Sequence, residues 1–291
     1  MTAAEETLAW AFERQRPRLL RVAYATTGSL AEAEDCVQEA WLRLRGVPDP
    51  LAIRDLPSWL TRTVGRLALD ALGSARARAR RERYVGTWLP EPLVESDDPA
   101  ERVTLDESVS MALLVVLEQL TPAERTAFLL HDVFGLPFEE VAAVVGRTPA
   151  AVRQLASRAR RHVERGLPRF PPTHGEQAAL VAAFAEACRD GDLKRLITLL
   201  DPDVVVRGDG GGRVSALPEP VRGVEDVARW LLAFTRRPPR RVRTALVNGA
   251  VGLVLEDADG VRSVLAATVD AGRITALDVV RNPDKLTAVR D

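Results

Sequence analysis

Apolar residues recur at helical spacing over roughly the first 200 residues of this chain, and only beyond that do short β-like runs take over. Leu8, Phe12, Leu19, Leu20, Ala23 and Tyr24 can share one face of a first helix, which Gly28 interrupts. After Ser29, the positions Ala33, Cys36, Val37, Ala40, Trp41 and Leu44 form the apolar stripe of a second helix. Glu32, Glu34, Asp35, Gln38, Glu39 and Arg43 fall largely on its other side. A loop with three prolines, 46–57, leads to a third helix. Ser58 is expected to cap it, and Trp59, Leu60, Val64, Leu67, Ala68 and Leu72 make its apolar face. Residues 84–101 hold three prolines, Gly86 and a cluster of acids, and read as a linker. Helix is expected to resume near Pro99, with 109–120 apolar enough to be buried.

The stretch 120–165 predicts three helices. Thr121, Pro122 and Glu124 fit a capping box with proline at the first helical position, and Gly135 ends that helix. A short helix over 138–145 follows, Gly146 turns the chain, and Thr148 caps a last helix starting at Pro149. Ala142, Gly146 and Val152 sit where the last two helices must cross closely, with Val141, Val145 and Leu155 completing a small core. This is the helix-turn-helix pattern. A proline-rich boundary, 166–175, precedes a further domain's length of chain. It opens with a helical stretch, 176–200, carrying Phe184 and Cys188 on its core face and a DGD turn at Asp190–Asp192. Then come the strand-like runs DVVVRGD, TALVNGAVGLVLE, VRSVLAATVD and RITALDVVR, with DADG and AG turns and one helix at 224–234. Such runs predict a curved antiparallel sheet, and helices followed by a sheet predict an α+β domain.

At 291 residues, two or three domains are expected. The net charge of −1 conceals local patterning. The outer face of the last helix of the helix-turn-helix carries Arg147, Arg153, Arg158, Arg160, Arg161 and Arg165 against Glu164 alone, a surface able to neutralise phosphates. In helix-turn-helix geometry Thr148, Pro149, Ala150, Arg153, Gln154 and Ser157 face the major groove, with Arg158 and Arg161 beside them. The third helix likewise ends in arginines, among them Arg76 and Arg80, as a helix with one end in a core and the other on a polyanion would. Cys36 and Cys188 each stand alone, so no disulfide framework or metal spacing follows, and no metal or cofactor is expected. No apolar run approaches membrane-spanning length and the first residues lack an apolar signal core, so a cytoplasmic protein without membrane contact is expected.

The order of an acidic AEDCVQEAWLRL helix, a Trp-led SWLTRTVGRLALDAL helix, a linker, and LTPAER…VAAVVGRTPAAVRQLASRARR resembles the two conserved domains of extracytoplasmic-function sigma factors, over roughly residues 5 to 168. The resemblance implies an all-α front: a region 2 domain (1–83), a linker (84–108) and a region 4 helix-turn-helix domain (109–168). It implies that Asp35, Gln38, Glu39, Trp41 and Arg43 bind a coiled coil of the largest subunit of core RNA polymerase. It further implies that the proline-rich loop and the Trp59 helix, with Arg62, Arg76 and Arg80, open and read the minus-ten element of promoter DNA. The last helix would read the minus-thirty-five element, and the linker would run through the polymerase.

The remainder, 175–291, looks like a SnoaL-like domain of the nuclear-transport-factor-2-like cone fold. Three strings are similar to those of sigma factors that carry such an extension: WLPEP (Trp88 to Pro92, with Pro90), DGGG (Asp209 to Gly212, with Gly211) and NPDKL (Asn282 to Leu286, with Asp284 and Lys285). Trp88 is costly to expose and is expected to dock, and NPDKL is expected to pack against the linker or the sigma domains. DGGG reads as a place of close backbone approach or positive φ. Cone domains often hold a pocket, so an unknown small ligand is a possible partner. Catalysis would need a proton-transfer group, yet the chain has no histidine after His174 and no tyrosine after Tyr84. Asp203, Asp209, Asp270 and Asp278 remain, acids of a kind usually solvated. A transcription initiation factor without a reaction of its own, regulated by its C-terminal domain, is therefore expected. The alternatives are a repressor or activator that binds DNA unaided, and an enzyme tethered to DNA.

Overall fold

A computed structural model describes residues 3–74, 82–95, 109–235 and 239–289. The chain divides into two compact units. One is helical, residues 1–80 with 113–166; the other holds 81–112 with 167–291.

The helical unit starts with α1 (Ala3–Thr27), α2 (Leu30–Arg45) and α3 (Leu56–Gly73), which pack on one another. The expected stripes are buried: Leu19, Ala23 and Tyr24 on α1, Ala33, Cys36, Val37, Ala40 and Leu44 on α2, and Leu60, Val64, Ala68 and Leu72 on α3. Burial, with Glu32 and Asp35 nearby, pushes the Cys36 thiol up to about 11, so it stays neutral and acts as a small apolar side chain. One expectation fails locally. Ser58 does not cap α3; Asp55 does, its carboxylate accepting from the Ser58 amide at 3.0 Å, because the helix begins two residues earlier at Leu56 with Pro57 in its first turn.

The helix-turn-helix follows as α4 (Met111–Leu117), α5 (Pro122–Phe128) running into a π turn (Leu129–Val133), α6 (Phe138–Val145) and α7 (Pro149–Gly166). The Thr121–Glu124 capping box forms as read. Gly146 closes α6 in the left-handed region at φ 70°, where a side chain would be strained. Val152, Ala156, Ala159 and Val163 form the buried stripe of α7, while Leu155 is only half-buried, so the small core is set by alanines one turn further on.

The two helical domains pack together within this unit. The Arg66 guanidinium donates to Val144 O (2.9 Å), Ser58 Oγ bonds Glu140, and Arg62 pairs with Glu140 at 3.7 Å. Leu130 lies against Gly65, where a Cβ would sit 3.0 Å from Leu130 Cδ1. Arg125, 2 % exposed, is held by Leu117 O (3.0 Å), Glu118 Oε1 (2.5 Å) and Thr26 O (2.9 Å), the last at the end of α1.

The second unit is α+β. Helices α8 (His174–Asp190), α9 (Leu193–Leu199) and α10 (Val224–Thr235) lie on one face of a six-stranded sheet ordered β2-β1-β6-β5-β4-β3. Its strands are β1 (Leu200–Asp209), β2 (Val221–Arg222), β3 (Arg241–Val247), β4 (Ala250–Glu256), β5 (Arg262–Asp270) and β6 (Arg273–Val280). Phe184, Leu196 and Leu231 of the helices meet Val204, Val206, Leu253, Leu265 and Leu277 of the sheet in one apolar core. The fold class is the one the SnoaL-like resemblance implies, with two corrections. The sheet is mixed rather than antiparallel, since β1 pairs parallel to β6. The run TALVNGAVGLVLE is two strands, folded at Asn248 (φ 50°) and Gly249 (φ 77°), the paired positive φ of a tight two-residue hairpin.

Candidate functional site

Three surfaces carry the residues that the sequence singled out. The first is the exposed face of α7. Thr148, Ala150, Arg153, Gln154, Ser157, Arg158 and Arg161 are exposed and Pro149 is half-buried, all on the side opposite the alanine stripe. The arginines are less free than their spacing suggests. Arg153 pairs with Glu139 (3.2 Å) and lies 5.3 Å over the Phe138 ring; Arg158 pairs with Glu124 (3.0 Å); Arg160 pairs with Asp132. These acids come from α5, the π turn and α6, so the apparent excess of arginine over Glu164 was a property of one segment. Burial alone would raise Glu124, but the Thr121 hydroxyl and amide and the Arg158 guanidinium hold its carboxyl below the usual range.

The second surface is the polar side of α2. Asp35, Gln38 and Arg43 are exposed, and Glu39 pairs with Arg43 one turn away at 3.0 Å. Trp41 is half-buried on Phe12 of α1, ring centroids 4.9 Å apart. Phe12, Gln38 and Trp41, with Arg16, line a cleft of about 400 Å³ between α1 and α2. Leu42, 52 % exposed, was missed, and its signal was legible: a leucine standing off the buried stripe. On α3, Trp59 and Arg62 are both half-buried, with Arg62 engaged by Glu140. Arg76 and Arg80 lie outside the described residues.

The third surface gathers the three strings WLPEP, DGGG and NPDKL onto one carboxylate. Asp209, at the end of β1 and 0 % exposed, accepts through its side chain from Tyr84 Oη (2.5 Å), the Leu89 amide (2.9 Å), the Gly211 amide (3.0 Å) and Lys285 Nζ (2.7 Å). Its backbone carbonyl accepts from the amides of Arg281 (2.7 Å) and Asn282 (2.9 Å). Lys285 also donates to Leu89 O and sits 4.0 Å over the Trp88 ring and 5.0 Å from that of Tyr84. Asn282 donates to Tyr84 Oη (3.0 Å) and accepts from the Asp284 amide, while Asp284 turns outward to Arg213 (3.3 Å). Burial first, then the Asp209 hydrogen bond, raises the Tyr84 hydroxyl, so it remains a donor.

Residues 84–95 are thus laid on the α+β domain. Leu89, Pro90, Glu91 and Pro92 are buried, the Leu93 amide donates to Asn248 Oδ1 (3.1 Å), and Val94 pairs with Val247 at the edge of β3. Gly211 is explained by the same contact. It has φ 59°, and a Cβ on it would collide with the Asn282 side chain. Tyr84 and Arg281 belong to this site and were missed, since neither lies inside a string.

The acids were also misjudged. Asp278 is 1 % exposed, facing away from the helices, and pairs with Arg207 at 2.7 Å across the parallel β1–β6 register. Burial raises its carboxyl and Arg207 opposes the rise. Asp270 accepts from the amides of Arg169 and Phe170. Asp203 alone stays exposed as expected. Among the described residues no group of three or more His, Cys, Asp or Glu is placed to hold a metal, and no helix is long and apolar enough to cross a membrane.

Families and relatives among known proteins match this chain. The sigma-70 region 2 family matches residues 11–78, and the sigma-70 region 4 family matches 110–163. The chain is 44% identical over 296 residues to the ECF RNA polymerase sigma factor SigJ of Mycobacterium tuberculosis, covering 95% of this chain and 92% of that protein. It is 35% identical over 281 residues to the probable ECF RNA polymerase sigma factor SigI of the same species, covering 96% and 95%. The crystal structure of M. tuberculosis SigJ superposes with a TM-score of 0.80 at 41% identity, over 96% of this chain and 98% of that one.

Proposed function

Because this chain belongs to the extracytoplasmic-function RNA polymerase sigma factors, we propose that it starts transcription by joining core polymerase through α2 and a two-element promoter through α3 and α7, and that its C-terminal domain regulates this by holding the linker. Asp35, Gln38, Glu39, Trp41, Arg43 and the exposed Leu42 form the surface for a coiled coil of the polymerase largest subunit, with Trp41 already seated on Phe12 as a rigid anchor. Trp59 and Arg62 meet the opened minus-ten strand, where stacking and phosphate contacts offset the unpairing of bases. Thr148, Pro149, Ala150, Arg153, Gln154, Ser157, Arg158 and Arg161 meet the minus-thirty-five duplex. Arg62, Arg153 and Arg158 must then exchange carboxylates for phosphates, so α3 and α6 separate before both elements are bound.

The observation that carries the regulatory half is Asp209, which draws donors from the linker (Tyr84, Leu89) and from the domain's last turn (Lys285) into one buried cluster. A linker held there is not free to follow a channel in polymerase. Trp88, Pro90, Asp209, Gly211, Asn282, Asp284 and Lys285 accordingly act in regulation. We assign the domain no reaction: Asp278 is neutralised by Arg207, and the polar groups at Asp209 are engaged with one another.

The test is binding of the full chain, labelled with a fluorophore, to purified bacterial core polymerase. Nanomolar binding that falls at least tenfold in Trp41→Ala or Asp35→Ala is the expected result. If full-length protein shifts duplex DNA but ignores core polymerase, the repressor reading replaces this one.

A further inference from the structure

The α+β unit encloses a cavity of about 610 Å³ between α8, α10 and the sheet, within the range of about 300–1,000 Å³ usual for small-molecule sites. Its walls are apolar, among them Phe184, Trp230, Leu253 and Leu265. The thiol of Cys188 also lines it and, pushed up to about 12 by burial, carries no charge. Charged side chains are confined to exposed positions on its rim: Glu186, Arg189 and Arg243. The buried polar side chain on its wall is Ser263 of β5, 3 % exposed. Ser263 Oγ accepts from Arg281 Nε at 3.2 Å, which leaves its own O–H to donate into the cavity.

Arg281 leads out of the cavity. Its guanidinium is clamped by Ser215 O (2.7 Å) and Asp257 (2.8 Å), and its backbone amide donates to the carbonyl of Asp209. A smaller cavity of about 160 Å³ lies beside this path and shares Trp230 and Val279 with the larger one. The wall of the large cavity is therefore joined, through the Arg281 side chain and its backbone amide, to the backbone carbonyl of Asp209, the residue whose carboxylate holds the linker.

We propose that this cavity binds an uncharged, largely apolar small molecule bearing one hydrogen-bond acceptor, and that its occupancy tightens the docking of the linker on Asp209. The Ser263 hydroxyl donates a hydrogen bond to the acceptor on the ligand; a hydroxyl that donates is a better acceptor, so the bond from Arg281 strengthens and the segment carrying the 281 and 282 amides is held against Asp209. The ligand must bind the docked state more tightly to shift it, and by reciprocity the docked linker raises affinity for the ligand by the same factor. This deepens the regulatory half of the proposed function but shares with it only the docked linker. Polymerase binding is not in the readout, so either can fail alone.

The experiment uses full-length protein and Nile red, an uncharged apolar dye with a carbonyl acceptor. Saturable blue-shifted emission is expected, lost in Val242→Trp, which fills the mouth of the cavity from an exposed position. Hydrogen exchange of the peptide spanning Tyr84 to Leu89 should slow by about fivefold or more at saturation, the low end of ordinary allosteric coupling. Ser263→Ala should weaken dye binding, through the lost hydrogen bond and the lost coupling, and at saturating dye should lose the slowing. Dye emission that survives Val242→Trp, or no saturable emission at all, overturns the cavity as the site. Dye bound with exchange unchanged or faster, or slowing that persists in Ser263→Ala, overturns the relay.

Discussion

The contact between the two helical domains and the contact between the linker and the α+β domain use the same kinds of groups in opposite solvents. Between α3 and α6, Arg62 and Glu140 remain partly exposed; within the helix-turn-helix domain, Arg153, Arg158 and Arg160 of α7 likewise meet Glu139, Glu124 and Asp132 at the surface. Such pairs contribute about 0–1 kcal/mol each and are weakened by salt, so a phosphate can take a carboxylate's place with little penalty. At Asp209 the carboxylate is sealed from water and Lys285 nearly so; parting them strands a charge, which costs about 3–5 kcal/mol. Even Arg125, buried between the helical domains, has two of its three partners within its own domain. The first contact costs little to part; the second costs several times more.

Four measurements break or sharpen that contrast, in decreasing order of effect. Asp209→Ala should destabilise the α+β unit by about 3–5 kcal/mol in urea unfolding and expose the linker to protease. The double variant with Lys285→Ala should lose less than the sum of the singles, because both remove one interaction. If Asp209→Ala is silent, the buried cluster does not hold the linker. Gly211→Ala should come next, at about 2 kcal/mol or more, from a left-handed backbone and the collision with Asn282. In contrast, Glu140→Ala should shift unfolding by less than about 1 kcal/mol, while raising the rate at which the protein captures a single-stranded minus-ten oligonucleotide. A large stability loss there would erase the difference between the two contacts.

The smallest effect depends on pH. The Glu124 carboxyl titrates below its unfolded value of 4.5, so its contribution is present above that pH and is lost as the pH falls through the folded value. Glu124→Gln should therefore melt below wild type near neutral pH by an amount worth about 0.5 kcal/mol, and the two curves should converge as the pH drops under 4.5.

The helices of the front half were legible because their information is local. Apolar spacing, a T-x-x-E box and a glycine at a helix end each concern residues within one or two turns, and Ala33 to Leu44 or Thr121 to Gly146 behave as their spacing says. The failures there were local competitions, such as Asp55 outranking Ser58 as a cap. Asn248–Gly249 was equally local, a hairpin signal concealed inside a run of apolar residues.

What the chain alone determined about this protein is therefore its helical front, its α+β tail and the three strings WLPEP, DGGG and NPDKL as points of constraint. Only the tertiary structure decided what those strings do. Asp209 read as an acid at a strand end, expected in water. It became a buried anchor because parallel pairing of β1 with β6 carries the turn after Val280 alongside it and the linker closes over both. Tyr84 and Arg281 entered the site the same way. Tyr84 reaches Asp209 across 125 residues, a separation no local pattern records, and burial turned an ordinary carboxylate into the point that holds the linker.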